Sequence, residues 1–377
     1  MKIIVVGAGP SGVIFALSRK RSHPKDEIII LERKDEPLKK ILATGNGKCN
    51  LGNKSSLKNI YNDDFAYDVL SRYGLKTQLL FLDTLNIKTK EMGELIYPIS
   101  ESAVTVRNAL LKALEKENIK VICNEEVNDY IANDFEFEVF TNNNTYKANK
   151  IVFSTGGKSS PNLGSNGCIF PILKEHGYKI KDLNPGLCPI YINENVKTLD
   201  GVRVKANVSL YKNNKLIHKE SGELLFKDKG LSGIVIFNIS RLIARDLDAK
   251  YELRIDLLPN VSFEDLGIHL SFNSTDDLLE TYLHPKLANY IKKENLKGNE
   301  LLNAIKSHHF TFKGLYDFEF SQVSVGGVSL NNIKDSFESV LEKNVYFVGE
   351  ILDVDAPCGG YNLMWAIGSG LSLSDHM

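Results

Sequence analysis

Four β-branched residues, Ile3-Ile4-Val5-Val6, run directly into Gly7-Ala8-Gly9-Pro10-Ser11-Gly12 and then into an apolar stretch that begins at Val13. A short β-branched run suits a buried parallel strand. The glycine hexad satisfies G-x-G-x-x-G, and Val13 to Arg21 has helical character. In a strand–turn–helix unit, Gly7 permits the tight turn and Gly9 lets a pyrophosphate approach bare backbone. Gly12 lets the helix pack closely on the strand. The helix N-terminus then offers free N–H groups to the phosphates. One Lys followed by an apolar run also imitates a signal peptide. However, Gly7, Gly9, Pro10 and Gly12 interrupt the run, and no small-residue cleavage site follows. A second strand, Asp26 to Arg33, ends in Glu32, 20 residues beyond Gly12. At that offset a carboxylate can accept from ribose hydroxyls. Together these elements specify dinucleotide binding.

Composition narrows the class. The 46 basic and 47 acidic residues nearly cancel, so no global field favours nucleic acid or an anionic membrane. Cys49, Cys123, Cys168, Cys188 and Cys358 are scattered without a C-x-x-C pair, which argues against a disulfide framework or a zinc site. A reducing cytoplasm is the expected setting. No apolar run approaches the ~20 residues of a membrane span.

Further glycine-rich segments recur along the chain. Leu38 to Asn53 contains Thr44-Gly45-Asn46-Gly47-Lys48-Cys49-Asn50, which can bring several N–H groups and a Lys to a phosphate or a polar ring edge. It is not a Walker loop. Residues 61–118 read as helix in two blocks, broken around Gly93 to Ser100. A meander follows, with strands at Glu126–Ala132, Phe135–Phe140 and Thr145–Phe153. The last strand runs into Ser154-Thr155-Gly156-Gly157, a second place where backbone can lie against a cofactor. Near the C-terminus, Val345 to Val348 leads to Gly349-Glu350, then Asp353 and Asp355, then Gly359-Gly360-Tyr361-Asn362 and an apolar helix. Its acids can bind sugar-alcohol hydroxyls, and the helix start can stabilise negative charge on a reduced ring.

Between these parts the pattern changes. Val202 to Leu210 alternates with period two and Tyr251 to Pro259 closes a region read as an antiparallel sheet or barrel. Phe263 to Phe310 reads as mostly helical, with an N-cap signal at Asn273 to Asp276. The expected division is 1–188 for the first part of a cofactor domain and 189–259 for an inserted barrel. Residues 260–312 then form a helical part and 313–377 return to the cofactor domain. The insertion is expected to cover the cofactor and shape the substrate pocket. The pair His308-His309 is placed on a helix, where adjacent residues diverge, so a shared ligand role is not expected.

The combination G-A-G-P-S-G, T-G-N-G-K-C-N, S-T-G-G and G-E-I-L-D-V-D followed by G-G-Y-N resembles bacterial flavoproteins of the aminoacetone-oxidase-like, NAD(P)/FAD-dependent oxidoreductase group. A flavin reductase of bile-acid degradation is similar to this group, which falls in the two-dinucleotide-binding-domain superfamily. The resemblance covers essentially the whole chain. It implies an α/β fold: a split FAD-binding Rossmann-like domain with a β-meander, plus the inserted barrel and helical subdomain. It implies FAD held by Gly7, Ala8, Gly9, Pro10, Ser11 and Gly12 at the pyrophosphate, and by Glu32 and Arg33 at the adenosine. Lys40 and the loop Thr44, Gly45, Asn46, Gly47 and Asn50 would line the pyrophosphate and ring. Val127 would touch adenine through its backbone, and Thr155, Gly156 and Gly157 would pack on the adenosine side. Gly349, Glu350 and Asp353 would face the ribityl chain, while Gly360, Tyr361 and Asn362 meet the flavin edge. The group commonly has Gly and Thr where this chain has Ala356 and Cys358. No catalytic residue is nominated, although Tyr361 or Cys358 could supply a proton.

The expected activity is electron or hydride transfer between a nicotinamide or organic donor and a small organic substrate or oxygen. NAD(P)H would bind only transiently, since no second G-x-G-x-x-G exists. The rival reading is a flavin-dependent RNA-modifying or RNA-binding protein with a basic face near Lys34 to Lys58. An NAD-only dehydrogenase and a non-catalytic nucleotide sensor are further alternatives.

Overall fold

A computed structural model describes residues 1–133 and 136–377. Contacts divide the chain into one unit of Met1–Asn184 with Val323–Met377, and a second of Pro185–Gln322.

The first unit is built on a parallel five-stranded sheet. Its strands, in spatial order, are Val345–Phe347, Lys150–Phe153, Lys2–Val6, Glu27–Glu32 and Lys120–Cys123. Lys2–Val6 is central: Ile4 pairs with Ile151 on one side and Ile29 on the other. Its residues from Ile3 to Val6 are buried. Burial on both faces is why this strand is uniformly β-branched instead of alternating. The helices Pro10–Ser22 and Tyr361–His376 pack together, and bare Gly370 allows it: a Cβ there would sit 2.5 Å from the Ser11 carbonyl oxygen.

Three parts of this unit differ from the sequence expectation. The strand expected over Thr145–Phe153 is two strands, Thr145–Ala148 in the antiparallel meander and Lys150–Phe153 in the parallel sheet. Asn149 makes the break, donating its N–H to the Lys2 carbonyl and accepting the Lys2 N–H on its side chain, both at 2.8 Å. Those bonds start the new parallel pairing. The middle meander strand is Phe137–Thr141, and Phe135, where it was expected to begin, lies outside the described residues. The interruption between the expected helical blocks is a hairpin, Thr89–Met92 with Leu95–Pro98, paired to Gly52–Asn53.

The second unit is a closed six-stranded barrel. Its order is Ile190–Ile192, Gly230–Ser232, Lys215–Lys227, Arg203–Lys212, Tyr251–Asp256 and His308–Leu315, the last pairing back to the first. Ala206, Val208 and Leu210 alternate inward along one strand, as a barrel requires. Four helices, Phe263–Phe272, Thr275–Tyr282, Pro285–Lys292 and Gly298–Lys306, bury Leu266, Leu279, Ile291 and Ile305 in the same core. Helix Thr275–Tyr282 opens with a reciprocal capping box between Ser274 and Asp277.

His308 and His309 are on a strand, not a helix. His308 is buried with Nδ1 3.0 Å from the Ala304 carbonyl oxygen, while exposed His309 pairs with Glu252 at 3.1 Å. Strand alternation separates them more completely than a helix would. Among the described residues there is no metal-holding group of His, Cys, Asp and Glu, and no helix long and apolar enough to cross a membrane.

A buried ion pair locks the turn between the first helix and the second strand. Arg19, 2% exposed, donates Nε to Asp26 Oδ2 at 2.8 Å. Burial pushes the Asp26 carboxyl up, but hydrogen bonds from the N-terminal ammonium and Arg19 outweigh it and hold it below its ordinary 3.8. Asp26 therefore contributes stability that is complete above pH 3.8 and is lost as pH falls through its lower folded value. Asp26→Asn is expected to cost on the order of 3–5 kcal/mol by leaving Arg19 buried and unpaired. Denaturant unfolding should show that deficit at pH 7 and a narrowing gap to the parent below pH 3.8.

Candidate functional site

Because the sheet is parallel, the turns after four of its strands fall on the same edge. That edge carries Gly7–Gly12, Glu32, Ser154–Gly157 and Gly349–Glu350. Loops at the carboxyl ends of parallel strands are where such folds bind ligands.

The three fingerprint glycines have separate physical reasons. Gly7 has φ +99°, and a Cβ there would meet the Ser154 carbonyl oxygen at 2.8 Å. At Gly12 a Cβ would lie 2.2 Å from Ser154 Oγ and 2.9 Å from Val5, so this glycine is demanded by packing. Gly9 is different. A Cβ there would meet only the Ser154 carbonyl oxygen at 3.6 Å, an ordinary contact. The protein itself has room for a side chain at Gly9, whose half-buried backbone lies at a helix N-terminus. No side chain caps that helix, and its first turn carries no acid. The cradle fits a phosphate.

The other strand ends are tied to this turn. Ser154 Oγ donates to the carbonyls of Val6 and Gly7 at 3.0 and 2.7 Å. Glu32 accepts from the Ala8 N–H and the Lys34 N–H, each at 2.9 Å, so its carboxylate is oriented across the end of the sheet. Next to it, Arg33 lies 4.0 Å from Glu126, and its Nε is buried with no hydrogen-bond partner. Such an orphan donor fits a polar group arriving from outside. Val127 follows Glu126 at the start of the meander and is buried. Gly349 would place a Cβ 2.4 Å from Ser11 Oγ, joining the opening and closing motifs.

Glu350 is held from two directions. Its Oε1 accepts the Ser324 N–H at 2.8 Å, and its Oε2 accepts Lys40 Nζ at 2.7 Å. Cβ atoms at Gly156 and Gly157 would lie 3.7 and 3.5 Å from this carboxylate. Thr155 is half-buried beside them.

The Thr44–Asn50 loop turns through left-handed Gly45, Asn46 and Gly47, all exposed. Asn50 is buried, and its Oδ1 would be 2.8 Å from a Cβ at Gly360, so the loop reaches the start of the last helix. Lys48, expected to reach a phosphate, turns away: it is 50% exposed and donates to Glu101 at 2.8 Å. Lys48 and Lys90 together pull the Glu101 carboxyl down to about 2. Lys40 is the lysine of this segment that reaches Glu350.

In the C-terminal turn, Asp355 is 1% exposed, which leaves Asp353 as the accessible acid of that pair. Asn362 spends its carboxamide inside the loop, accepting the Ala356 N–H at 3.0 Å and donating to the Ala356 carbonyl at 2.9 Å. Its main-chain N–H remains part of the first turn of a helix that no side chain caps. Tyr361 is buried. Sequence reasoning missed Ser324, Asn53, Tyr61 and Asn62, which organise these turns from outside the glycine motifs. The small-residue run Ser324 to Gly327 and the Asn50 to Asn53 spacing are their only local signals.

The chain is similar to known proteins. Over 398 residues the chain is 30% identical to a 3-dehydro-bile acid delta(4,6)-reductase of Clostridium scindens, covering 98% of this chain and 97% of the relative. It is 26% identical to a ribosomal RNA dihydrouridine synthase of Escherichia coli, covering 96% and 94% of the two chains. Among solved structures, a 3-ketosteroid-delta4-(5alpha)-dehydrogenase from Rhodococcus jostii shares the fold with a TM-score of 0.51 and 11% identity, over 99% of this chain and 96% of that one. Residues 1–375 match the family model described as the HI0933-like protein Rossmann domain, and the chain belongs to that family.

Proposed function

We propose that the protein is an FAD-dependent oxidoreductase acting on a small unsaturated or carbonyl-containing organic molecule. The observation that carries this reading is Gly9: its backbone is kept bare although nothing in the protein crowds it, beside an uncapped helix N-terminus at an edge where three further turns meet. The reductase relative, similar over nearly the full length of both chains, supports the redox class.

In this reading the Gly7–Gly12 turn, with Ala8, Pro10 and Ser11, holds the pyrophosphate. Glu32 and Arg33 hold the adenosine ribose, and Val127, Thr155, Gly156 and Gly157 line the adenosine side. Lys40, with Thr44 to Asn50, lines the pyrophosphate and ring. Gly349, Glu350 and Asp353 face the ribityl chain, and Gly360, Tyr361 and Asn362 the ring edge. Bound FAD would supply the hydride and electron transfer. The N–H groups opening the last helix are placed to stabilise negative charge on a reduced ring. A nicotinamide donor would bind transiently. Five cysteines scattered without a C-x-x-C pair suit a reducing compartment such as the cytoplasm, and burial pushes Cys49, Cys168 and Cys188 up to about 11.

The relative named as a ribosomal RNA dihydrouridine synthase supports a second reading, with a nucleic-acid substrate. That reading needs a basic face over Lys34 to Lys58. Instead Lys39 pairs with Asp35, Lys40 with Glu350, Lys48 with Glu101 and Lys54 with Glu91. The small-molecule reading is therefore preferred.

Purified protein should be yellow, or become so with added FAD, and NADH or NADPH should bleach the flavin band anaerobically. Failure of both nicotinamides to bleach it removes the nicotinamide donor. The glycines give a sharper contrast. Gly9→Ala should keep the parental melting temperature and lose at least about tenfold in FAD affinity, roughly 1.4 kcal/mol. Gly12→Ala should instead lower stability by about 1–3 kcal/mol through overpacking against Ser154 and Val5. Calorimetry and flavin fluorescence titration separate the two effects. RNA binding at low salt should be weak and nearly flat with ionic strength, whereas a steep slope would favour the nucleic-acid reading.

A further inference from the structure

The turn that carries the second glycine pair has little stiffness of its own. Gly359 and Gly360 take φ +122° and +93°, and residues 353–360 contain no regular element after the short turn ending at Ile351. Asn362 closes it from within through Ala356, and hydrogen bonds from elsewhere in the unit hold the rest. Two adjacent residues supply both ends. The Asn62 N–H donates to the Asp355 carbonyl at 3.3 Å, its Oδ1 accepts the Asp355 N–H at 2.7 Å, and its Nδ2 donates to the Asp353 carbonyl at 3.0 Å. The side chain thus grips the loop much as a neighbouring strand would. One residue earlier, the Tyr61 hydroxyl donates to the Tyr361 carbonyl at 2.8 Å, and the two rings meet edge to face. The loop is therefore pinned where it begins and where it enters the last helix.

The clamp stands on a fixed base. Asp63, the next residue, caps helix Asp64–Tyr73 by accepting the Phe65 N–H. Phe65 packs edge-on against Trp365, with ring centroids 6.0 Å apart, and Trp365 Nε1 donates to the Gly349 carbonyl at 3.1 Å. Asn62 is itself exposed, so it adds little to the hydrophobic core. Three bonds from an exposed side chain and backbone to one loop point to geometry rather than bulk stability.

We propose that Tyr61 and Asn62 are positioning residues that hold the amides opening the last helix where they set the reduction potential of the flavin. The inference rests on the FAD reading above. Fixed N–H donors favour the anionic reduced ring only while aimed at it, and a displacement of about 1 Å forfeits much of that effect. Neither residue touches a reacting atom; both act through the loop.

The test uses the full chain with Asn62→Ala and Tyr61→Phe, measured with and without FAD. In flavin-free protein, Asn62→Ala should melt as the parent does, and amide exchange at Asp355 and its neighbours should quicken at least tenfold. In the FAD-loaded protein, each variant should lose about tenfold in its preference for reduced over oxidised flavin. That is a potential about 30 mV more negative for a two-electron couple. Coloured variants with the parental potential overturn the proposal. A protein that takes up no flavin overturns the FAD reading, and the role assigned to the clamp falls with it. Parental exchange rates in the flavin-free Asn62→Ala variant refute the clamp itself. If Tyr61→Phe folds poorly, Asn62→Ala at its exposed position still decides the outcome.

Discussion

The parallel pairing of Lys2–Val6 with Lys150–Phe153 and Glu27–Glu32 is the constraint from which the candidate site follows. Parallel neighbours deliver their carboxyl ends to one edge, so segments about 150 and 340 residues apart in the chain become adjacent turns. Backbone polar groups left over at that edge must find partners. Ser154 satisfies the carbonyls of Val6 and Gly7, and Glu32 takes the N–H of Ala8. No side chain caps the starts of helices Pro10–Ser22 and Tyr361–His376, and their N–H groups are the seats that the proposed function assigns to an anionic ligand.

Close packing sets the precision of this edge. Gly12 and Gly349 have no room for a methyl group, because the first helix lies against Ser154 and the closing turn lies against Ser11. A charged group is brought in only with a partner: Lys40 with Glu350, and Glu350 again with the Ser324 N–H. Among the described residues, Arg33 Nε is a buried donor at this edge left without a hydrogen-bond partner. Rigid placement of dipoles is what a redox cofactor needs from its protein, since the electron chemistry belongs to the cofactor.

The second unit solves a different problem. A closed barrel leaves no sheet edge exposed, and His308–Leu315 completes it by pairing with both Tyr251–Asp256 and Ile190–Ile192. Its last strand follows four short helices, so the local pattern around Ser307 gives no warning of the change. His308 sits in an apolar site where burial pushes its imidazole below the ordinary value, against the opposing pull of Glu294. It behaves as a core residue.

The sequence by itself determined the strand–turn–helix opening, the second strand that ends in Glu32, the recurrence of strands ending in glycine, and the alternation of a barrel. All of these are local: backbone sterics and a period of about 2 or 3.6 residues are written within a few neighbours. Tertiary structure decided the rest. It broke the run Thr145–Phe153 at Asn149 by offering Lys2 as a partner, put His308 and His309 on a strand, and turned Lys48 outward to Glu101. It also recruited Tyr61, Asn62 and Ser324, whose bonds span 26 to 300 residues of chain. A side chain's partner across such a distance depends on how whole elements pack, and no window of sequence contains that information.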